Sequence, residues 1–131
     1  MRFLFDTNAV IALLNDAGSS LARRARRHSP ADIGVSAIVS HELFYGAFKS
    51  KRSELNVGLV DSLRFAVLDF DKEDARHAGA IRAELAAQGS PIGPYDVLIA
   101  GQARARNLIL VSHNLREFSR VPGLVVEDWA T

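Results

Sequence analysis

Phe3-Leu4-Phe5 is apolar without a break, and Asp6-Thr7-Asn8 follows it at once. So short an apolar run, cut off by polar residues, reads as a strand buried on both faces, the habit of parallel sheets. Helical patterns separate it from further runs of the same kind. Ala9 to Asn15 is apolar enough for a short buried helix, Gly18-Ser19-Ser20 breaks it, and Leu21 to His28 is a basic helix ended by Pro30. Ile33-Gly34-Val35 is the next strand candidate. Ser36 then caps a helix to about Lys49, because its hydroxyl satisfies amides left open at a helix start. Another helix is expected over Ser53 to Leu63 and a strand over Phe65 to Phe70. Asp71 opens the following helix, with Asp74 in a capping-box position, Ala75, Ala78, Ile81 and Leu85 as its apolar stripe, and Gly89 as its end. Pro94 opens a helix through Arg106, stopped by Asn107. Leu108 to Val111 is a buried strand, Asn114 to Phe118 a helical turn and Leu124 to Val126 a last strand. Strands alternating with helices predict a three-layer α/β fold with a mostly parallel sheet.

The 131 residues suit one domain, 1–131, able to bury roughly two thirds of the unfolded surface. An apolar share of 48% with 24% charged residues is that of a soluble globular protein, and no apolar run is long enough for a membrane span. Without a secretory signal the expected location is cytoplasmic. The chain has no cysteine, which excludes disulfides and thiolate metal sites. A net charge of +1 gives no whole-molecule attraction to nucleic acid. Three basic groups stand out: Arg23-Arg24-Ala25-Arg26-Arg27-His28, Lys49-Ser50-Lys51-Arg52, and the pair Arg104 and Arg106. Each reads either as a solvated helix face or as a phosphate-contacting rim.

Four acids have placements that surface solubility explains poorly. Asp6 leaves the first strand, where it serves an Asx-turn, a helix cap or a ligand site; Asn8 has the same alternatives, or orients Asp6 or a water. On the helix after Ser36, Ile38, Val39, Leu43 and Ala47 form an apolar arc, and Glu42 and Gly46 fall in its middle. A carboxylate there must be paired, protonated or bound to a cation. Asp96 lies at the third position of an almost wholly apolar helix, facing the positive helix end or a ligand. Ser112, Asn114 and Glu117 follow the strand Leu108–Val111; Ser112 caps the next turn, and the group shares Asp6's edge of a parallel sheet. Carboxylates converging there without a lysine would repel and partly protonate. A hard divalent cation, Mg²⁺ or Mn²⁺, resolves that conflict and suits hydrolysis of a phosphodiester.

The series Asp6-Thr7-Asn8; Ser36 with Glu42-Leu43 and Gly46; Gly93-Pro94-Tyr95-Asp96 with Ile99-Ala100; and Ser112-His113-Asn114 with Glu117-Phe118 resembles a PIN domain. Arg120-Val121-Pro122-Gly123-Leu124 and Glu127-Asp128-Trp129 complete the pattern. More narrowly it resembles the VapC toxins of VapBC toxin–antitoxin pairs, over essentially the whole chain. The resemblance implies a Mg²⁺- or Mn²⁺-dependent endoribonuclease whose acidic metal-binding triad matches Asp6, Glu42 and Asp96. Asn114 stands where many members have Asp, so either Asn114 or Glu117 completes the site, and Ser112 matches a hydroxyl that positions acids or water. It also implies a homodimer, a VapB-type antitoxin whose basic tail reaches the acids, higher toxin–antitoxin assemblies, and structured RNA, tRNA first, as substrate.

Rival readings fail on single residues. A receiver-type phosphoacceptor needs a lysine at the late-strand junction, and none follows Lys72. A haloacid-dehalogenase-type phosphatase needs an acid where Asn8 stands, and FMN binding lacks a phosphate-cradling loop after the first strand. The remaining rival is a catalytically idle PIN-like binding module.

Overall fold

The structure, a computed structural model, describes residues 1–130. Its strands are β1 (Phe3–Phe5), β2 (Ile33–Ser36), β3 (Ala66–Leu68), β4 (Ile109–Val111) and β5 (Val126–Glu127). They form one five-stranded sheet in the order β3-β2-β1-β4-β5, and all pairings are parallel rather than mostly so. The helices are α1 (Thr7–Asn15), α2 (Ser20–Ala25), α3 (Ala37–Lys49), α4 (Ser53–Asp61), α5 (Lys72–Ala87), α6 (Pro94–Ala105) and α7 (Leu115–Phe118), with one 3-10 turn at Pro30–Asp32. They sandwich the sheet in the expected α/β/α layers. Among the described residues no helix is long and apolar enough to cross a membrane.

Register does most of the positioning. Phe5 pairs with Val35 on one side and with Val111 on the other. The residues one step on, Asp6, Ser36 and Ser112, therefore stand side by side along the carboxyl edge, and the Asp6 N–H donates to the Val111 carbonyl. β1 earns its central place by composition: Phe3, Leu4 and Phe5 are all buried, as a strand covered on both faces must be. Phe3 and Phe5 share one face, where Trp129, fully buried, meets both rings edge-on at 4.8 and 5.4 Å. Stacked His28 and the Arg24 guanidinium flank that indole.

The expected element ends shift where local chemistry dictates. α1 starts at Thr7 rather than Ala9, because the Asp6 carboxylate accepts from the Ala9 N–H and caps the helix. The apolar stripe of α5 runs through Ala78, Ile81 and Leu85, while Ala75 is exposed and Asp74 is buried in its stead. β3 is shorter than Phe65–Phe70 and its Val67 is exposed, as an edge strand allows. β5 begins at Val126, two residues after the expected start. The stops behave as expected. Gly89 and Asn107 both take left-handed backbone, with φ of 67° and 56°, and the Ser90 and Leu108 amides reach back to the Leu85 and Ala103 carbonyls.

α6 reaches its place because Gly101 lets it lie directly on α5. A Cβ there would stand 2.6 Å from the Ala78 backbone. This contact holds the helix that carries Asp96. Across the same interface, Asp74 is fixed by Arg106, whose Nη2 lies 2.9 Å from its carboxylate, and by the Gln102 amide at 2.9 Å.

Candidate active site

Three elements bring carboxyl groups to the same edge. Asp6 comes from the end of β1, Glu42 from the second turn of α3, and Asp96 from the first turn of α6. Glu117, on α7 after β4, joins them: its carboxyl lies within hydrogen-bonding reach of Asp96 and raises the proton affinity there. Among the described residues none of these four is paired with a lysine or arginine.

Their surroundings fix each one differently. Asp6 is only 5% exposed; burial pushes its carboxyl up, against the pull of the Ser112 hydroxyl and the Ala9 amide, with Glu42 adding to the rise. The buried Ser112 hydroxyl also accepts the Asn114 N–H, so this side chain ties the β4 junction to Asp6. Glu42 accepts a hydrogen bond from the Thr7 hydroxyl at 2.8 Å. Glu42 stands beside the buried stripe of Val39, Leu43 and Ala47 rather than in its middle, and Gly46 is exposed. Both face a groove of about 380 Å³ shared with Ile11, Leu14, Leu59 and Val60. Half-buried Asp96 is the most perturbed of the four: burial, then Glu117, Asp6 and Glu42, push it up to about 7. Its position in the first helical turn would by itself favour the charged form. The upward shift shows that burial and the facing carboxylates outweigh that effect. Gly93 makes room for it, since a Cβ there would stand 3.2 Å from its Oδ2.

Of the residues singled out from sequence, Asp6, Glu42, Asp96, Glu117 and Ser112 come together. Asn114 supports Glu117, donating from its side-chain amide at 3.1 Å. Asn8 is exposed on α1 and makes no hydrogen bond to Asp6, so of its alternatives the direct orienting of Asp6 is not seen. That work falls to Ser112 for Asp6 and to Thr7 for Glu42. Thr7 stands in the Asp6-Thr7-Asn8 motif with no role expected of it, a hydroxyl beside Asp6. His113 is pinned through Nδ1 to Asp128 at 2.9 Å.

The basic groups are mostly occupied elsewhere. Arg23 and Arg26 hold the Gly18 and Ala17 carbonyls, and Arg24 pairs with Glu127. Arg104 bonds His77 and the Pro122 carbonyl, and Arg106 serves Asp74. Most arginines of these two groups thus make contacts within the chain. Lys49, Lys51 and Arg52 lie at and beyond the far end of α3, away from the acids.

The donor set suits a hard divalent cation: oxygen ligands only, no compensating base, and one carboxyl driven toward protonation for want of countercharge. Among the described residues no three His, Cys, Asp or Glu side chains are already gathered as a cage for a metal ion.

The perturbation of Asp96 has a measurable consequence for stability without divalent cations. Its folded pKa lies above the unfolded value of 3.8, so the folded state holds the extra proton between about pH 4 and pH 7. The Asp96 contribution to stability therefore falls as pH rises through that window. Asp96→Asn is expected to flatten this decline, seen as a smaller loss of Tm between pH 4.5 and 7.5 in EDTA. Equal slopes for the two proteins would refute the strained cluster.

Comparison with known proteins agrees with this architecture. The PIN domain family model matches residues 3–124. The tRNA(fMet)-specific endonuclease VapC of Salmonella typhimurium is 43% identical over 98% of both chains. A chain of the DNA-bound VapBC structure from Salmonella typhimurium superposes with a TM-score of 0.93, at 43% identity and 98% coverage of each chain. A chain of Rickettsia felis VapBC2, also bound to DNA, gives 0.91 at 34% identity, covering 98% of this chain and 99% of that one. With this match along nearly its whole length, the chain belongs to the PIN-domain family, in its VapC branch.

Proposed function

We propose that this protein is the ribonuclease toxin of a VapBC-type toxin–antitoxin pair, a Mg²⁺- or Mn²⁺-dependent endoribonuclease that cuts structured RNA. The observation that carries this reading is the convergence of Asp6, Glu42, Asp96 and Glu117 at one edge without a basic partner. Asp6 and Asp96, with Glu42 beside them, would hold the cation. When bound, it would supply an activated water and screen the phosphate charge. The chain's own residues do the rest. Ser112 and the α1 amide hold the Asp6 carboxylate, and Thr7 aims Glu42. Glu117 faces Asp96 within hydrogen-bonding reach and closes the cluster from the α7 side.

Transfer RNA is the first substrate to test, and initiator tRNA within it, because the Salmonella relative carries that specificity in its name. A VapB-type partner follows from the complexes in which the structural relatives were solved. Incubation of the purified protein with total tRNA and Mg²⁺ should release discrete fragments, with initiator tRNA consumed first. Added cognate antitoxin should stop the reaction. Binding of tRNA without any cleavage in Mg²⁺ or Mn²⁺ would favour an idle PIN-like module instead.

A further inference from the structure

We propose that His41 and Tyr95 form a stacking site for an unpaired RNA base beside the bond to be cut. The inference rests on the ribonuclease reading and specifies how that site takes hold of its substrate. His41 immediately precedes Glu42 on α3, and Tyr95 immediately precedes Asp96 on α6. Their rings lie 5.4 Å apart, tilted by 59°, so two acid-bearing helices present one joined aromatic surface. His41 is exposed and Tyr95 is 46% exposed. Neither polar tip has a hydrogen-bond partner among the described residues. The other exposed aromatic rings of α3, Tyr45 and Phe48, lie farther down the helix, with Lys49 over Tyr45.

The charge distribution leaves room for a handle of this kind. Clustered carboxylates repel a polyanion, and Arg23, Arg24, Arg26 and Arg106 are tied to carbonyls, Glu127 and Asp74. Contacts other than phosphate charge would then add affinity near the scissile bond, beside any phosphate contact that exposed Arg116 on α7 makes. Single-stranded loops offer exposed base faces, and proteins that read RNA stack such bases on aromatic side chains. Histidine and tyrosine side by side provide that surface at the position where a base flanking the cleaved phosphate would lie.

The test uses a fluorescent RNA hairpin with an unpaired loop, its binding followed by anisotropy in a cleavage-silent Asp6→Asn background. A parallel series replaces one loop base at a time with an abasic site. The His41→Ala/Tyr95→Ala double variant is expected to bind roughly tenfold more weakly or worse, given the usual worth of one stacked base, while Tyr95→Phe binds like the parent. One abasic position should weaken the parent equally and leave the double variant unchanged, because ring and base belong to one interaction. Equal affinity of parent and double variant overturns the proposal. So does a parent indifferent to every abasic position, an arm that decides even where the double variant melts early. A double variant that sediments as a smaller species with unchanged RNA affinity assigns the rings to a protein contact and also overturns it. If the unsubstituted protein cuts RNA and the double variant binds as its parent does, only the stacking site falls. If it cuts no RNA in Mg²⁺ or Mn²⁺, the ribonuclease reading falls and takes this inference with it.

Discussion

Asp6→Asn is expected to lower RNA cleavage by roughly 10²- to 10⁴-fold while leaving the protein folded. A bound cation stabilises a phosphodiester transition state by several kcal/mol, and each ~1.4 kcal/mol is a factor of ten in rate. Asparagine is the informative replacement because Asp6 has two duties. Its Oδ1 caps α1 through the Ala9 amide at 2.8 Å, and an Asn carbonyl preserves that bond while removing the charge. Alanine would remove the cap as well, costing about 1 kcal/mol, and would blur a catalytic loss with a folding defect. Single-turnover cleavage of labelled tRNA, with thermal melting as the control for folding, measures the effect. Near-normal cleavage by Asp6→Asn would remove Asp6 from the reaction.

The largest effect on stability is expected far from the acids, at Arg106→Ala. Asp74 is fully buried, and burial alone would push its carboxyl up. Hydrogen bonds from Arg106, the Asp71 N–H and the Gln102 amide, with the guanidinium charge, outweigh that effect and hold it below its usual range. Removing Arg106 strands a charge inside the protein, an event that costs about 3–5 kcal/mol and would lower Tm by roughly 10 °C or more. Because the folded pKa is depressed, the contribution of Asp74 is complete above its unfolded value of 3.8 and is lost as pH falls below it. Urea unfolding at pH 7 and pH 3 should therefore show a gap between parent and variant that narrows in acid. A loss under 1 kcal/mol at pH 7 would show that the pair does not hold α5 on α6.

These two acids show what a linear sequence discloses. Asp6 was legible because its signal is local: an apolar run stops, and a carboxylate stands where a parallel strand must end. The capping box of Asp71 and Asp74 and the stops at Gly89 and Asn107 were legible for the same reason. The burial of Asp74 was not. Its partner Arg106 lies 32 residues away, and only the docking of α6 on α5 through Gly101 brings them together. The Thr7 bond to Glu42 spans 35 residues and is equally invisible to periodicity. Glu42 was noticed for its place on a helix face, yet helical spacing could not tell the middle of the buried stripe from its margin. The helix wheel treats α3 as a cylinder against a flat core, whereas Glu42 and Gly46 face the groove between α3 and its neighbours. Proximity in sequence suggested that Asn8 orients Asp6, one of several alternatives, but the helix that Asp6 caps turns Asn8 outward to solvent.

Asp6, Glu42, Asp96 and Glu117 are proposed to form a cation-dependent centre for RNA cleavage. Titrating Mn²⁺ into the EDTA-treated protein while following tRNA cleavage, alongside Asp96→Asn, addresses it most directly. No cleavage is expected without the ion, with saturable activation on adding it and a titration curve that is flat for Asp96→Asn. Cleavage that persists in excess EDTA, or an Asp96→Asn protein activated by Mn²⁺ as the parent is, would contradict it.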